Sequence, residues 1–268
     1  MRAPLARGRT TLLRISVCSR AAFKIFFNWR ITMLSRASNL RRMAYACALV
    51  ILCIQAAAFA QSPDPMLGQS IATQGTAQGA TACASCHGAS GEGNSAAGFP
   101  RLAGLGRAYL LEQLNAFAAG YRKSAVMHPI AKALTAPERA AVALHFSKLA
   151  SPLPSRINDQ EDVSPNDIGA WLATRGRWNE GVPACVQCHG PGGAGIGENF
   201  PPLAGQPVAY LESQLHDWKK GLRPPGPFAL MVVIAGKLSD GDISAVAKYY
   251  AELTAKAAVA SGAKGESK

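Results

Sequence analysis

Two segments of this 268-residue chain carry residue types at a spacing suited to chemistry: Cys83-x-x-Cys86-His87 and Cys185-x-x-Cys188-His189. Two cysteines three positions apart share one helical turn. Both thiols can therefore form thioethers to the vinyl groups of one heme while the next imidazole reaches its iron. On this reading Cys83, Cys86, Cys185 and Cys188 attach two heme c groups, and His87 and His189 are the proximal ligands. A zinc site would have to join the two cysteine pairs across the chain and would ignore the repeated histidine. A thioredoxin-like dithiol needs a βαβ context, which the sequence lacks.

A second axial ligand must come from elsewhere in the chain. Beyond residue 60 the only methionines are Met66, Met127 and Met231. Met127 and Met231 stand at matched distances after His87 and His189, and each precedes a helix, so they are assigned as the sixth ligands. Met66 has no counterpart and reads as core packing. His128 adjoins Met127 but corresponds to Val232, which argues against ligation; His145 and His216 are unrepeated and read as surface or core residues. A soft thioether favours the ferrous state and raises the potential. With neither iron open, the expected chemistry is one-electron transfer without substrate turnover, and no enzyme activity. Ligating histidines usually donate their other N–H to a nearby acceptor. The carbonyls of Pro100 and Pro201 are candidates for that acceptor. Arg122 and Arg223 are candidates to pair with heme propionates, the alternative being solvated surface arginines.

The two motifs belong to an internal repeat with an offset of about 101 to 104 residues. Gly68–Gly75 matches Gly169–Gly176, and Phe99-Pro100-Arg101-Leu102-Ala103-Gly104 matches Phe200-Pro201-Pro202-Leu203-Ala204-Gly205. Tyr109-Leu110-x-x-Gln113-Leu114 matches Tyr210-Leu211-x-x-Gln214-Leu215, and Gly120-x-Arg122 matches Gly221-x-Arg223. Each half is small for a hydrophobic core of its own, and an embedded heme would supply much of one. Leu110, Leu111, Leu114 and Phe117 fall on one face of a helix predicted over 109–119. Thr135 and Glu138 form a capping-box signal, with Ser239 and Asp242 as the weaker counterpart. No convincing alternating strand is present. The glycine-rich stretches 88–98 and 190–197 read as loops on the heme rim. They lack a P-loop lysine and a following βαβ pattern, so phosphate binding is not expected.

Residues 1–60 read as a leader: Arg41 and Arg42, an apolar run over 44–60, and Ala58-Phe59-Ala60 as a cleavage site. The alternative is a retained membrane anchor, although the run is short for a span. Met33 and Met43 are better starts, which reads 1–32 as an upstream extension of the frame. A mitochondrial transit peptide is the competing explanation. Leu52 before Cys53 argues against a lipoprotein cysteine. The leader holds ten of the 28 basic residues and none of the 16 acidic ones, so residues 61–268 carry a net charge of only +2. The high whole-chain charge thus gives no support to nucleic-acid binding. The expected organisation is an N-terminal heme domain over 61–150, a polar linker over 151–168, a second heme domain over 169–254 and a flexible tail over 255–268.

Residues 66–253 resemble the diheme cytochromes of the cytochrome c4 family. The likeness rests on the repeated Cys-x-x-Cys-His-Gly, Phe-Pro-x-Leu-Ala-Gly, Tyr-Leu-x-x-Gln-Leu and Gly-x-Arg motifs, followed by Met before a helix. It implies an all-α fold of two tandem class I cytochrome c domains, periplasmic, with the hemes facing each other near the interface. It also implies electron delivery from a quinol-oxidising complex, membrane-associated, to a terminal oxidase. A cytochrome subunit accepting electrons from a dehydrogenase is the alternative, and a diheme peroxidase a weaker one. Two departures stand out: Arg101 where the second half has Pro202, and extra residues (Pro224, Pro225, Pro227) between Arg223 and Met231. The sequence does not fix the oligomeric state.

Overall fold

Helix signals in the sequence appear as helices, and two of them cross through a glycine. The computed structural model describes residues 63–151, 163–226 and 228–262, with side chains to residue 253; the leader and most of the linker lie outside the described residues. The first half comprises α1 (Pro65–Gln74), α2 (Ala84–His87), α3 (Arg107–Ala118), α4 (Met127–Ala133) and α5 (Ala136–Lys148). The second repeats this order as α6 (Ile168–Thr174), α7 (Val186–His189), α8 (Val208–Lys219), α9 (Leu230–Lys237) and α10 (Asp240–Gly262). Among the described residues there are only isolated β-bridges, such as Asn94 to Phe99, and no strands. No helix among them is long and apolar enough to cross a membrane.

In each half the first helix crosses the last. α1 meets α5 at Gly68, where an added Cβ would lie 2.2 Å from the Ala141 carbonyl oxygen. α6 meets α10 at Gly169, 2.4 Å from the Ala245 carbonyl oxygen. Only glycine lets the backbones approach this closely. Gly68→Ala forces the crossing apart and is expected to cost about 2–3 kcal/mol, the scale of an overpacked core. Gly236, inside α9, has nothing near its Cβ position, so Gly236→Ala should instead gain up to about 1 kcal/mol from helix propensity. Chemical denaturation of the two variants reads this opposite pair of effects.

α3 packs on α4 and α5, and α8 on α9 and α10. The first core gathers Ile71, Leu110, Leu134, Val142 and Phe146. The second is divided between a cluster around Leu211, Val246 and Tyr250 and one around Leu172, Val182 and Ile243. Met66, read from sequence as packing, is instead 70 % exposed on α1.

Both capping signals are real. The Thr135 hydroxyl accepts from the Glu138 N–H, and the Glu138 carboxylate accepts from the Thr135 N–H at 2.7 Å. Ser239 and Asp242 make the same reciprocal pair at 3.1 and 2.9 Å. Asp242 also accepts from Arg177, which ties α10 to the loop after α6. Burial pushes the Asp242 carboxyl up, but the Arg177 and Ser239 donors outweigh it and hold the group below its ordinary value. Its stabilisation is therefore present at neutral pH and is lost as pH falls through that lowered pKa. Asp242→Asn should be less stable than the wild type at pH 7, and the gap should close once the pH is well below about 3.9. Denaturation midpoints across that range check it.

Candidate functional site

Each half encloses one apolar cavity, and the residues singled out from sequence line both. Cys83, Cys86, His87, Met127, Leu110, Leu134, Val142 and Phe146 line the first. Cys185, Cys188, His189, Met231, Leu211, Leu238, Val246 and Tyr250 line the second. α2 and α7 are single turns that carry the cysteine–histidine motif, so the thiol pair and the imidazole share one rigid element. α4 begins on Met127, whose N–H is bonded to the Ser124 hydroxyl at 3.0 Å. α9 begins one residue before Met231, and Ala229 turns into it in the left-handed region at φ 51°.

The histidines are buried, 6 % and 7 % exposed. His87 Nδ1 meets the Pro100 carbonyl at 2.8 Å and His189 Nδ1 meets the Pro201 carbonyl at 2.7 Å. A carbonyl can only accept, so each Nδ1 donates its proton and each Nε2 keeps a lone pair suited to a metal. Burial lowers both imidazole pKa values, which favours the neutral form that ligates. Phe99 and Phe200 set ring edges against the two imidazoles at 6.1 and 6.3 Å.

Burial pushes the Cys83 and Cys185 thiols up to about 11. Neither is thus a ready thiolate for zinc or disulfide exchange. No cluster of three or more His, Cys, Asp or Glu among the described residues could hold a metal ion. The two cysteine pairs lie in separate cavities, which removes the shared zinc site. His128 turns its Nδ1 to the Phe117 carbonyl at 2.7 Å and does not line the cavity. His216 lies by Asp240, and His145 packs its ring against Phe146.

A third feature was not read from sequence: the cavities share a wall. Tyr109, Gln113, Tyr210 and Gln214 line both of them. Arg122 and Arg223 are each only 5 % exposed, and each donates to both halves. Arg122 bonds Gln113 Oε1 at 2.8 Å, Tyr210 at 3.2 Å and Gln214 Oε1. Arg223 bonds Gln214 Oε1 at 3.1 Å, Tyr109 at 2.9 Å and Gln113 Oε1 at 3.1 Å. Each guanidinium also stacks on an aromatic ring of its own half, Phe117 and Trp218. Burial raises the Tyr109 phenol. Burial pushes Tyr210 the same way, but Arg122 and Arg223 outweigh it and leave that phenol lowered. Neither arginine forms an ion pair with a carboxylate among the described residues. The signal for this wall was available in the repeated Tyr and Gln, polar residues recurring on otherwise apolar helices.

The inserted segment of the second half also lies at its cavity. Pro224, Pro225, Gly226 and Phe228 line the second cavity, and Phe228 stacks on Phe200 at 6.1 Å while remaining 61 % exposed.

Two apolar cavities, each with a thiol pair, an imidazole with Nε2 unprotonated and a thioether, fit large planar iron cofactors anchored through sulfur. The buried guanidiniums between them, lacking acidic partners, fit acidic groups on such cofactors. This arrangement defines an all-helical c-type cytochrome with two cofactor sites. The cytochrome c family model matches residues 72–161 and 182–254. The thiosulfate dehydrogenase electron acceptor of Stutzerimonas stutzeri (strain A1501) is 46 % identical over 198 residues, 74 % of this chain and 89 % of that protein. The crystal structure of reduced recombinant cytochrome c4 from Pseudomonas stutzeri aligns with a TM-score of 0.58 at 32 % identity, covering 70 % of this chain and 97 % of that one. The structure of thiosulfate dehydrogenase (TsdBA) from Marichromatium purpuratum aligns with a TM-score of 0.63 at 45 % identity. That match covers 70 % of this chain but only 40 % of the other. The chain belongs to the cytochrome c family, as a diheme member of the cytochrome c4 type, and carries two covalently bound heme c groups.

Proposed function

We propose that this chain is the periplasmic electron acceptor of a thiosulfate-oxidising dehydrogenase. The observation that carries the reading is its likeness to the thiosulfate dehydrogenase electron acceptor of S. stutzeri, across 89 % of that protein. Joining two thiosulfate ions through a new S–S bond releases two electrons, and a chain with two one-electron sites can accept both.

In this proposal Cys83 and Cys86 anchor the first heme and Cys185 and Cys188 the second. His87 with Met127, and His189 with Met231, would ligate the two irons. When bound, each heme supplies a one-electron couple whose potential is raised by the thioether. The Pro100 and Pro201 carbonyls hold the imidazoles in one tautomer and orientation. The apolar walls keep water from the sites. Arg122 and Arg223 place positive charge in the shared wall, where it offsets the propionates and favours the reduced state.

The test is to mix the oxidised protein with purified thiosulfate dehydrogenase and thiosulfate and follow the reduced-heme absorbance. The expected result is reduction of both hemes only when enzyme and substrate are both present. Reduction by a quinol-oxidising complex and none by the thiosulfate enzyme would favour the respiratory carrier reading, with a terminal oxidase as acceptor.

A further inference from the structure

The two proline carbonyls that receive the histidine protons are supported differently. In the first half the peptide joining Pro100 to Arg101 works in both directions. Its oxygen accepts from His87 Nδ1 at 2.8 Å, and its N–H, on Arg101, donates to Gln206 Oε1 at 3.0 Å. Gln206 returns a bond from Nε2 to the Arg101 carbonyl at 3.0 Å, and it is buried at 3 % exposure. In the second half Pro202 follows Pro201, and a proline has no N–H to donate. The hydrogen-bond chain behind His189 therefore stops at the Pro201 carbonyl, whereas the one behind His87 runs on into the other half.

Gln206 itself lines the second cavity. Arg101, 1 % exposed, locks the arrangement by donating to the carbonyls of Ala103 at 2.5 Å and Ala204 at 3.2 Å. Those two alanines occupy the same place in the repeat, so Arg101 clamps the halves together where the second half has only proline.

A peptide whose N–H is donated carries more negative charge on its oxygen, because hydrogen bonds in series polarise one another. Its carbonyl then pulls harder on the imidazole proton, and the imidazole becomes a more basic ligand that favours the ferric state. We propose that Gln206 is a positioning residue for the first heme, acting from the second half through the Pro100–Arg101 peptide on His87. It lowers the potential of the first heme relative to what that half would set alone. The inference rests on the proposed ligation by His87.

Two variants test it in the holoprotein. Gln206→Met removes the acceptor, and Gln206→Glu strengthens it while losing the same Nε2 bond. The readouts are the two midpoint potentials and the NMR position of the His87 Nδ1 proton in the reduced protein. The hemes are told apart by which signals change in Met127→Ala and Met231→Ala. Gln206→Met should raise the first heme's potential by more than the second's, whose cavity Gln206 also lines, and move the His87 proton upfield while the His189 Nδ1 proton stays in place. Gln206→Glu should move the first potential and that proton in the opposite directions. Equal shifts at both hemes, shifts of one sign in both variants, or a His87 proton that does not move would overturn the proposal, and Gln206→Met alone suffices for that judgement. Failure of the ligation itself would appear separately, as a wild-type spectrum without His/Met-ligated iron.

Discussion

Met127→Ala should leave two hemes on the chain, remove about half of the near-red absorption of methionine-bound ferric iron, and lower one midpoint by a substantial part of the roughly 0.8 V that axial ligation commands. Met231→Ala should do the same to the other heme. Each methionine lies at the start of a helix that lines the cavity holding the matching histidine. In the first half neither alternative ligand is in place: Met66 is exposed, and His128 is committed to the Phe117 carbonyl. Covalent attachment depends on the cysteines, so the heme content survives the loss of the axial sulfur. A vacated position would also admit small ligands. Gain of peroxidase turnover in either variant, with none in the wild type, follows from that opening. A potential that falls at both hemes in one variant would mean that the methionines do not serve separate irons.

The second large effect lies in the wall between the cavities. Gln113 Oε1 and Gln214 Oε1 each accept from both Arg122 and Arg223. Losing one arginine therefore leaves each amide oxygen a remaining donor. Losing both leaves two buried acceptors without one, at about 1–3 kcal/mol each. Arg122→Met and Arg223→Met should each cost about 2 kcal/mol through lost charged hydrogen bonds. The double variant should exceed the sum of the two by about 1–3 kcal/mol, the scale of coupling in a shared network. In each single variant the potential should fall most at the heme whose cavity the lost arginine lines, the first for Arg122 and the second for Arg223, because a buried positive charge beside it is gone. Denaturation of the four proteins forms the cycle. Strict additivity would mean that the two arginines act separately and the wall is not one unit.

Much of this arrangement is written locally and can be read locally. The Cys-x-x-Cys-His turns, the repeat offset, the Thr135 cap and its Ser239 counterpart each depend on residues a few positions apart, where spacing alone decides what can touch. The helix predicted over 109–119 runs over Arg107–Ala118, and its apolar face packs on the first core through Leu110, Leu111 and Leu114 and lines the first cavity with Phe117. Gln113 is buried beside Leu110, while Leu111, Leu114 and Phe117 are half-buried. The reason is that α3 has two buried faces, one on its own core and one on the other half. A pattern that asks only which residues are apolar sees the first face and not the second. Arg101 stands out in sequence as a departure from proline, yet besides the nearby Ala103 carbonyl its partners are the Ala204 carbonyl and Gln206, 103 and 105 residues away. The same distance hid the bonds of Arg122 to Tyr210 and of Arg223 to Tyr109. Gly68 and Gly169 were visible as matched positions. Their role, letting two helix backbones meet, emerges only from the crossing itself.

The central claim is that the chain holds two hemes, each closed by histidine and methionine. It is tested most directly by a reduced-minus-oxidised spectrum of the purified protein together with a heme assay. Two c-type hemes per chain, with the near-red absorption of methionine bound to ferric iron at full strength for both, are predicted. One heme per chain, zinc in place of iron, or two hemes without the near-red absorption would contradict it.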